Sequence, residues 1–146
     1  MKILMLSWEY PPKVVGGLAR AVADLSQALA ALGHEVAVVT TDAPQCEQSA
    51  YQAGVRVFRV NQFLPKALDF LGEVYLQNCH LTQKGIELLN QGGFDLIHAH
   101  DWLVAPSAKV LKHAFQIPLV CTIHATEWGR NSGLHNDLQR HISDLE

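Results

Sequence analysis

The sequence predicts an α/β protein with a doubly wound parallel sheet, and three observations carry that expectation. Short apolar or β-branched runs alternate along the chain with segments of helical period. Three of the strand-like runs, Lys2–Leu6, Leu96-Ile97 and Leu119–Ile123, each end in a polar loop rich in ligand-handling side chains. In an open parallel sheet all strand carboxyl ends lie on one edge, where ligands bind. The three loops, distant in sequence, are therefore expected to meet in one cleft.

The elements follow in order. Residues 2–7 form an apolar first strand. Leu18, Val22, Leu25, Leu29 and Leu32 then recur at helical spacing, and Gly33 supplies the stop. Glu35–Thr41 is a β-branched strand, and Val55–Val60 alternates as another. From about residue 65 to Gln91 a long segment carries Leu68, Leu71, Tyr75, Cys79, Ile86 and Leu89 at mostly helical period, broken by Gly92-Gly93. Phe94–His98 reads as the next strand. The helix after it runs through Val104 to Phe115, with Pro106 tolerated in the first turn. Pro118–Ile123 is the last strand, and right-handed crossovers are the default between parallel neighbours. At the end, Leu134, Leu138, Ile142 and Leu145 form an amphipathic stripe. A helix under way where the chain stops suggests one half of a larger protein, with a docking helix as the alternative.

Composition narrows the function classes. With 146 residues, 49% hydrophobic and 17% charged, the chain suits one domain around a single core. Its net charge of −3 and lack of a Lys/Arg block argue against nucleic-acid binding. No apolar stretch approaches the roughly 20 residues a membrane span needs. Glu9 interrupts the apolar start and no A-x-A site follows, so the first residues read as a strand rather than a signal peptide. Cys46, Cys79 and Cys121 are odd in number and lack C-x-x-C spacing. They read as reduced thiols of a cytoplasmic protein, with Cys121 filling the core inside a strand.

The loops carry the chemistry. Gly16-Gly17 stands directly before a helix, where backbone amides present partial positive charge and glycine lets a phosphate or sugar approach; Lys13 adds a full charge. This is not the G-x-G-x-x-G fingerprint, although Asp42 after the second strand keeps a nicotinamide-cofactor reading open. In the second loop, one residue between His98 and His100 puts both on one face of a strand. Zinc would need a third ligand such as His124; the simpler reading is a packed, hydrogen-bonded His98. Asp101 either caps the following helix or holds a substrate hydroxyl, and Trp102 either packs or stacks on a sugar. In the third loop His124 closes an apolar strand and can hydrogen-bond without fixed charge near neutral pH. Arg130 offers a planar fork for phosphate, unless it pairs with Glu127 at the surface.

Ser7-Trp8-Glu9-Tyr10-Pro11-Pro12 through Gly16-Gly17-Leu18, followed by Gly33-His34-Glu35-Val36, resembles the N-terminal half of retaining glycosyltransferases of the two-domain GT-B fold. His98-Ala99-His100-Asp101-Trp102 and Thr122-Ile123-His124-Ala125-Thr126-Glu127-Trp128-Gly129-Arg130 sharpen the resemblance to the glycogen and starch synthase group. The resemblance implies a Rossmann-like sheet, with residues 1–146 as the acceptor-side domain and a C-terminal nucleotide-sugar-binding domain lying outside this chain. It implies retaining transfer of a glycosyl unit, typically α-glucosyl, from ADP- or UDP-glucose to a glucan or oligosaccharide, with no metal and no cofactor beyond the donor. By matching position it puts Gly16 and Gly17 at the donor phosphates and His124 against the transferred sugar. Asp101 lines the same cleft, and Arg130 meets donor phosphate. Lys13 matches a phosphate-binding lysine less closely, because Val14-Val15 separate it from the glycines. The chain alone is then expected to be catalytically silent. A stand-alone sugar- or nucleotide-binding module without turnover is the alternative from another class.

Overall fold

The computed structural model describes residues 1–60 and 69–146. Six strands, β1 (Lys2–Ser7), β2 (Glu35–Thr41), β3 (Ser49–Gln52), β4 (Val55–Val60), β5 (Leu96–His100) and β6 (Leu119–Thr122), form one sheet in the order β3-β4-β2-β1-β5-β6. All neighbours pair in parallel except β3, which runs antiparallel to β4. The helices are α1 (Gly17–Ala31), α2 (Phe70–Asn90), α3 (Ala105–Phe115), α4 (Glu127–Asn131) and α5 (Asp137–Leu145). Among the described residues no helix is long and apolar enough to cross a membrane.

The sheet is the expected Rossmann-like one, covered on both faces. Side chains alternate along a strand, so Leu4 and Leu6 of β1 face one layer and Ile3 and Met5 the other. The first layer continues through Ala37, Val39, Ile97 and Ala99 to Leu81, Leu88 and Leu111 of α2 and α3. The second holds Val36, Val38, Val55 and Val57 against Leu18, Val22 and Ala23 of α1. Two-sided burial explains why β1 and β2 read as continuous apolar runs.

Several boundaries differ from expectation. β3 has no apolar pattern, and it exists because Ala53-Gly54 forms a two-residue turn with φ of 46° and 84°, folding it back onto β4. β5 begins and ends two residues later than read, because its partner β1 stays paired through Ser7 opposite His100. Cys121 is exposed rather than a core filler, since β6 is the sheet edge and is paired on one side only. In α1, Leu25 and Leu32 are exposed; the small Ala19, Ala23 and Ser26 bring the helix close to the sheet.

The inward face of α2 differs most. Tyr75, Cys79 and Ile86 of the expected stripe are exposed, and Leu68 lies outside the described residues. The helix instead buries Val74, Asn78, Leu81, Gly85 and Leu88. Asn78 Nδ2 donates to the Leu103 carbonyl at 2.8 Å, and its Oδ1 accepts from the Ser107 amide at 3.0 Å. Ser107 Oγ donates back to the Asn78 carbonyl at 2.7 Å. These bonds tie α2 to the turn after β5. α5 docks by Ile142, which is buried with Val74 and Trp102.

A side chain at Gly85 would overlap Leu111 Cδ1 in this contact. Overpacking of a filled core costs about 1–3 kcal/mol, against up to about 1 kcal/mol of helix propensity gained by replacing glycine. Gly85→Ala is therefore expected to lower the free energy of unfolding by a net amount on the order of 1 kcal/mol, read as a lower urea midpoint at unchanged m. Adding Leu111→Val is expected to return part of it, and additive losses in the double variant would contradict this packing.

Candidate active-site cleft

The strand order reverses at β1, with β2 on one side and β5 on the other. Ligand crevices in doubly wound sheets open at such a point. A cleft of about 520 Å³ lies there, lined among others by Glu9, Gly16, Gly17, Asp101, His124 and Arg130. All three expected loops contribute to its wall.

The first loop is shaped from below. Ser7 Oγ donates to the Glu9 carbonyl at 2.7 Å, and Tyr10, buried, shares a 3.1 Å hydrogen bond with Ser26 of α1. The Glu9 carboxylate, also buried, accepts from the amides of Val15 and Gly16, the latter at 3.2 Å. This role of Glu9 is not among the sequence expectations; its signal there is an acid just past a buried strand and ahead of paired glycines. A Cβ on Gly17 would meet nothing within 4 Å, and one on Gly16 only Glu9 Oε1 at 3.8 Å. Packing within the chain thus does not demand these glycines; their missing side chains leave the cleft open.

Lys13 is not on the cleft wall. Its Nζ donates to Thr41 Oγ1 at 2.5 Å, and Thr41 in turn donates to the Trp8 carbonyl at 2.6 Å. Burial pushes the Lys13 amine below its usual value, while the negative charges of Glu9, Asp42 and Glu73 oppose that shift. Asp42 is also outside the wall, and its carboxylate accepts from the Ala43 amide at 2.8 Å.

The second loop turns sharply at Asp101, whose φ of 70° and ψ of 164° lie in a region non-glycine residues avoid. Such a conformation costs about 1–3 kcal/mol and persists where its surroundings over-determine it. Here three contacts do so. The Asp101 amide donates to the Thr122 carbonyl at 2.8 Å, and Oδ1 accepts from the Trp102 amide at 3.0 Å. Oδ2 accepts from Arg130 Nη2 at 3.1 Å. Asp101 thus caps the 3₁₀ turn Trp102–Val104 and aims its other oxygen at the cleft. Trp102 is buried edge-on against Phe70 at 6.1 Å, in a packing role.

The third loop brings His124 and Arg130. Thr126 caps α4 by accepting from the Gly129 amide at 3.1 Å. Glu127 does not pair with Arg130: its carboxylate accepts from Asn131 Nδ2 at 2.8 Å, and Arg130 reaches across to Asp101. That ion pair joins a carboxylate side chain 5% exposed to a guanidinium side chain 43% exposed, so one partner is fixed and the other remains open to solvent.

Three imidazoles stand in a row, His124 on this wall with His100 and His98 beyond it. His98 Nε2 is 2.8 Å from Thr122 Oγ1, so His98 is hydrogen-bonded as read. The His98 and His100 ring centroids are 4.1 Å apart, and those of His100 and His124 5.6 Å. Among the described residues no group of three His, Cys, Asp or Glu side chains is placed to hold a metal ion. Burial pushes His98 below its ordinary value, with the nearby His124 adding to the effect. Burial, and then the neighbouring His98 and His124, push His100 down from 6.5 to about 3.

For His100 the unfolded imidazole titrates near 6.5 and the folded one near 3. Between these values the unfolded chain binds the extra proton, so stability is full above about 6.5 and declines as pH falls toward about 3. At pH 5 the loss from this one residue is about 2 kcal/mol relative to pH 7. Urea unfolding at the two pH values should show it, and the His100→Asn variant, which cannot titrate, should lose that part of the difference. An unchanged difference in the variant would remove His100 as its source.

Residues 16–144 match the glycosyl transferase 4-like domain. The chain is 38% identical to a glycogen synthase of Mycobacterium tuberculosis, the match covering 100% of this chain and 39% of that protein. It is also 38% identical to an uncharacterised glycosyltransferase of Methanocaldococcus jannaschii, covering 100% of this chain and 36% of that one. The chain thus spans well under half the length of these curated relatives. Among solved structures, sucrose-phosphate synthase from Thermosynechococcus elongatus superposes with a TM-score of 0.77 at 19% identity, over 97% of this chain and 38% of that one. The catalytic domain of starch synthase IV from Arabidopsis thaliana, bound to ADP and acarbose, gives 0.63 at 21% identity over 86% of this chain and 34% of that one. These likenesses show a shared fold. The chain belongs to the glycosyl transferase 4-like domain family.

Proposed function

We propose that this chain is the acceptor-side half of a cytoplasmic retaining glycosyltransferase of the glycogen and starch synthase type. It works with a C-terminal nucleotide-sugar-binding domain and moves an α-glucosyl unit from ADP- or UDP-glucose to a glucan or oligosaccharide. The observation that carries this reading is the convergence of Gly16, Gly17, Asp101, His124 and Arg130 on one cleft from three separate loops. The 38% identity to a glycogen synthase along the whole chain supports the same class.

The chemistry suits the residues. Glycosyl transfer with retention builds negative charge on the leaving diphosphate and positive character on the sugar, and prepositioned groups stabilise both. Arg130, half exposed and held by Asp101, supplies a planar cation for phosphate oxygens. The open space above Gly16 and Gly17 admits phosphate to the start of α1. Asp101 Oδ2, once Arg130 turns to phosphate, is an acceptor for a sugar hydroxyl, and His124 offers the same sugar a hydrogen bond. Lys13 joins the phosphates only by leaving Thr41.

An amide NMR titration of the 146-residue chain with maltoheptaose, ADP-glucose, UDP-glucose and NAD tests the cleft. Shifts at Gly16, Gly17, Asp101 and His124 with the glucan or a sugar nucleotide are expected. Shifts confined to NAD around Asp42 would overturn the reading. Purified chain alone should transfer no glucose from labelled ADP-glucose or UDP-glucose to glycogen; appreciable transfer would refute the half-enzyme assignment. In an active assembly with the second domain, Asp101→Asn and His124→Ala should each lower kcat/KM by about 100-fold or more.

A further inference from the structure

We propose that His100 is a positioning residue that sets the proton on His124: it donates from Nδ1 to His124 Nε2, leaving His124 neutral with its own proton on Nδ1 as a donor toward the cleft. The functional consequence rests on the sugar-binding reading of the cleft; the protonation pattern itself does not.

His100 is the last residue of β5, fully buried, with Ser7 of β1 opposite on one side and Thr122 of β6 on the other. Its Nδ1 lies 3.3 Å from His124 Nε2, so one of the two nitrogens carries the shared proton. Its Nε2 is buried without a hydrogen-bond partner among the described residues. Three states are conceivable. An imidazolium would bury a charge between two further imidazoles and leave an N–H without an acceptor, in a ring whose burial already opposes charge. The neutral ring protonated on Nε2 would also strand an N–H in the core, and orphaned buried N–H groups are rare. The neutral ring protonated on Nδ1 strands only a lone pair, and that is the cheapest of the three. His124 Nε2 must then accept, which puts the His124 proton on Nδ1. No hydrogen bond among the described residues engages that nitrogen, and the ring lines the cleft.

The row is braced on its far side. His98 stacks on His100 at 32° between planes and is itself bonded to Thr122, whose carbonyl accepts from the Asp101 amide. His100 therefore has little freedom to turn away from His124. A neutral N–H at His124 suits the oxygen of an uncharged hydroxyl, whereas the fixed charge of Arg130 suits phosphate. The third loop so presents two kinds of ligand chemistry to one cleft.

Long-range 1H–15N correlation of the 15N-histidine-labelled 146-residue chain at pH 7 reads the tautomers directly. His100 and His124 are both expected to be protonated on Nδ1. In His100→Phe, His124 should move to the Nε2-protonated form that free imidazole favours. In His100→Asn, whose Nδ2 can still donate, His124 should return to Nδ1. An Nε2-protonated His124 in the parent chain overturns the proposal, as does a His124 that stays Nδ1-protonated in His100→Phe or turns to the Nε2 form in His100→Asn. Should the phenylalanine variant fail to fold, the parent spectrum and the asparagine variant decide alone. The readout needs no substrate, so its failure would leave the glycosyltransferase reading standing, and the failure of that reading would leave the tautomers unchanged.

Discussion

The parallel pairing of β1, β5 and β6 in a single register is the constraint on which the rest of the molecule depends. Ser7 stands opposite His100, and His100 opposite Thr122, so three strands release their chains at one level of the sheet edge. The following residues then have no choice of neighbourhood: the glycine loop, Asp101 and His124 line one cleft. A shift by one residue would turn each side chain to the opposite face of the sheet. His100 would then leave His124, and the Asp101 amide would lose the Thr122 carbonyl that holds its unusual backbone angle.

Two buried carboxylates organise that edge. Glu9 satisfies the amides that lead into α1, and Asp101 satisfies the turn that leads into α3. Each is shielded from water and each is surrounded by donors, so the cleft keeps its shape through internal hydrogen bonds. The cations nearby are divided by the same logic. Lys13 is drawn to Thr41, away from the wall, while Arg130 remains half in solvent with one contact to Asp101. The buried His100, whose burial opposes charge, fills the space behind, where a charge would be poorly solvated.

Much of this was legible in the residues. The loop-bearing strands, the glycine stop of α1, the break at Gly92-Gly93 and the proline at the start of α3 all follow from local rules of period and backbone freedom. The family likeness was carried by the same loops. Apolar period found α2 but only part of its inward face: Leu89 is buried as expected, whereas Tyr75, Cys79 and Ile86 are exposed, because that face also holds Asn78 and Gly85, which no hydrophobicity count selects. It failed on β3 because Ser49–Gln52 is held by a turn and an edge partner rather than by apolar burial.

Which residue types stand at the ends of which strands is legible locally, because strand and helix periods are written in neighbours a few positions apart. Their partners are set by the folded arrangement. That Arg130 pairs with Asp101 and not with Glu127, that Lys13 turns to Thr41, and that His100 touches His124 depend on register and on how loops cross the edge. Such contacts join residues 24 to 29 positions apart, and short-range polar interactions of a few ångströms are set by three-dimensional placement.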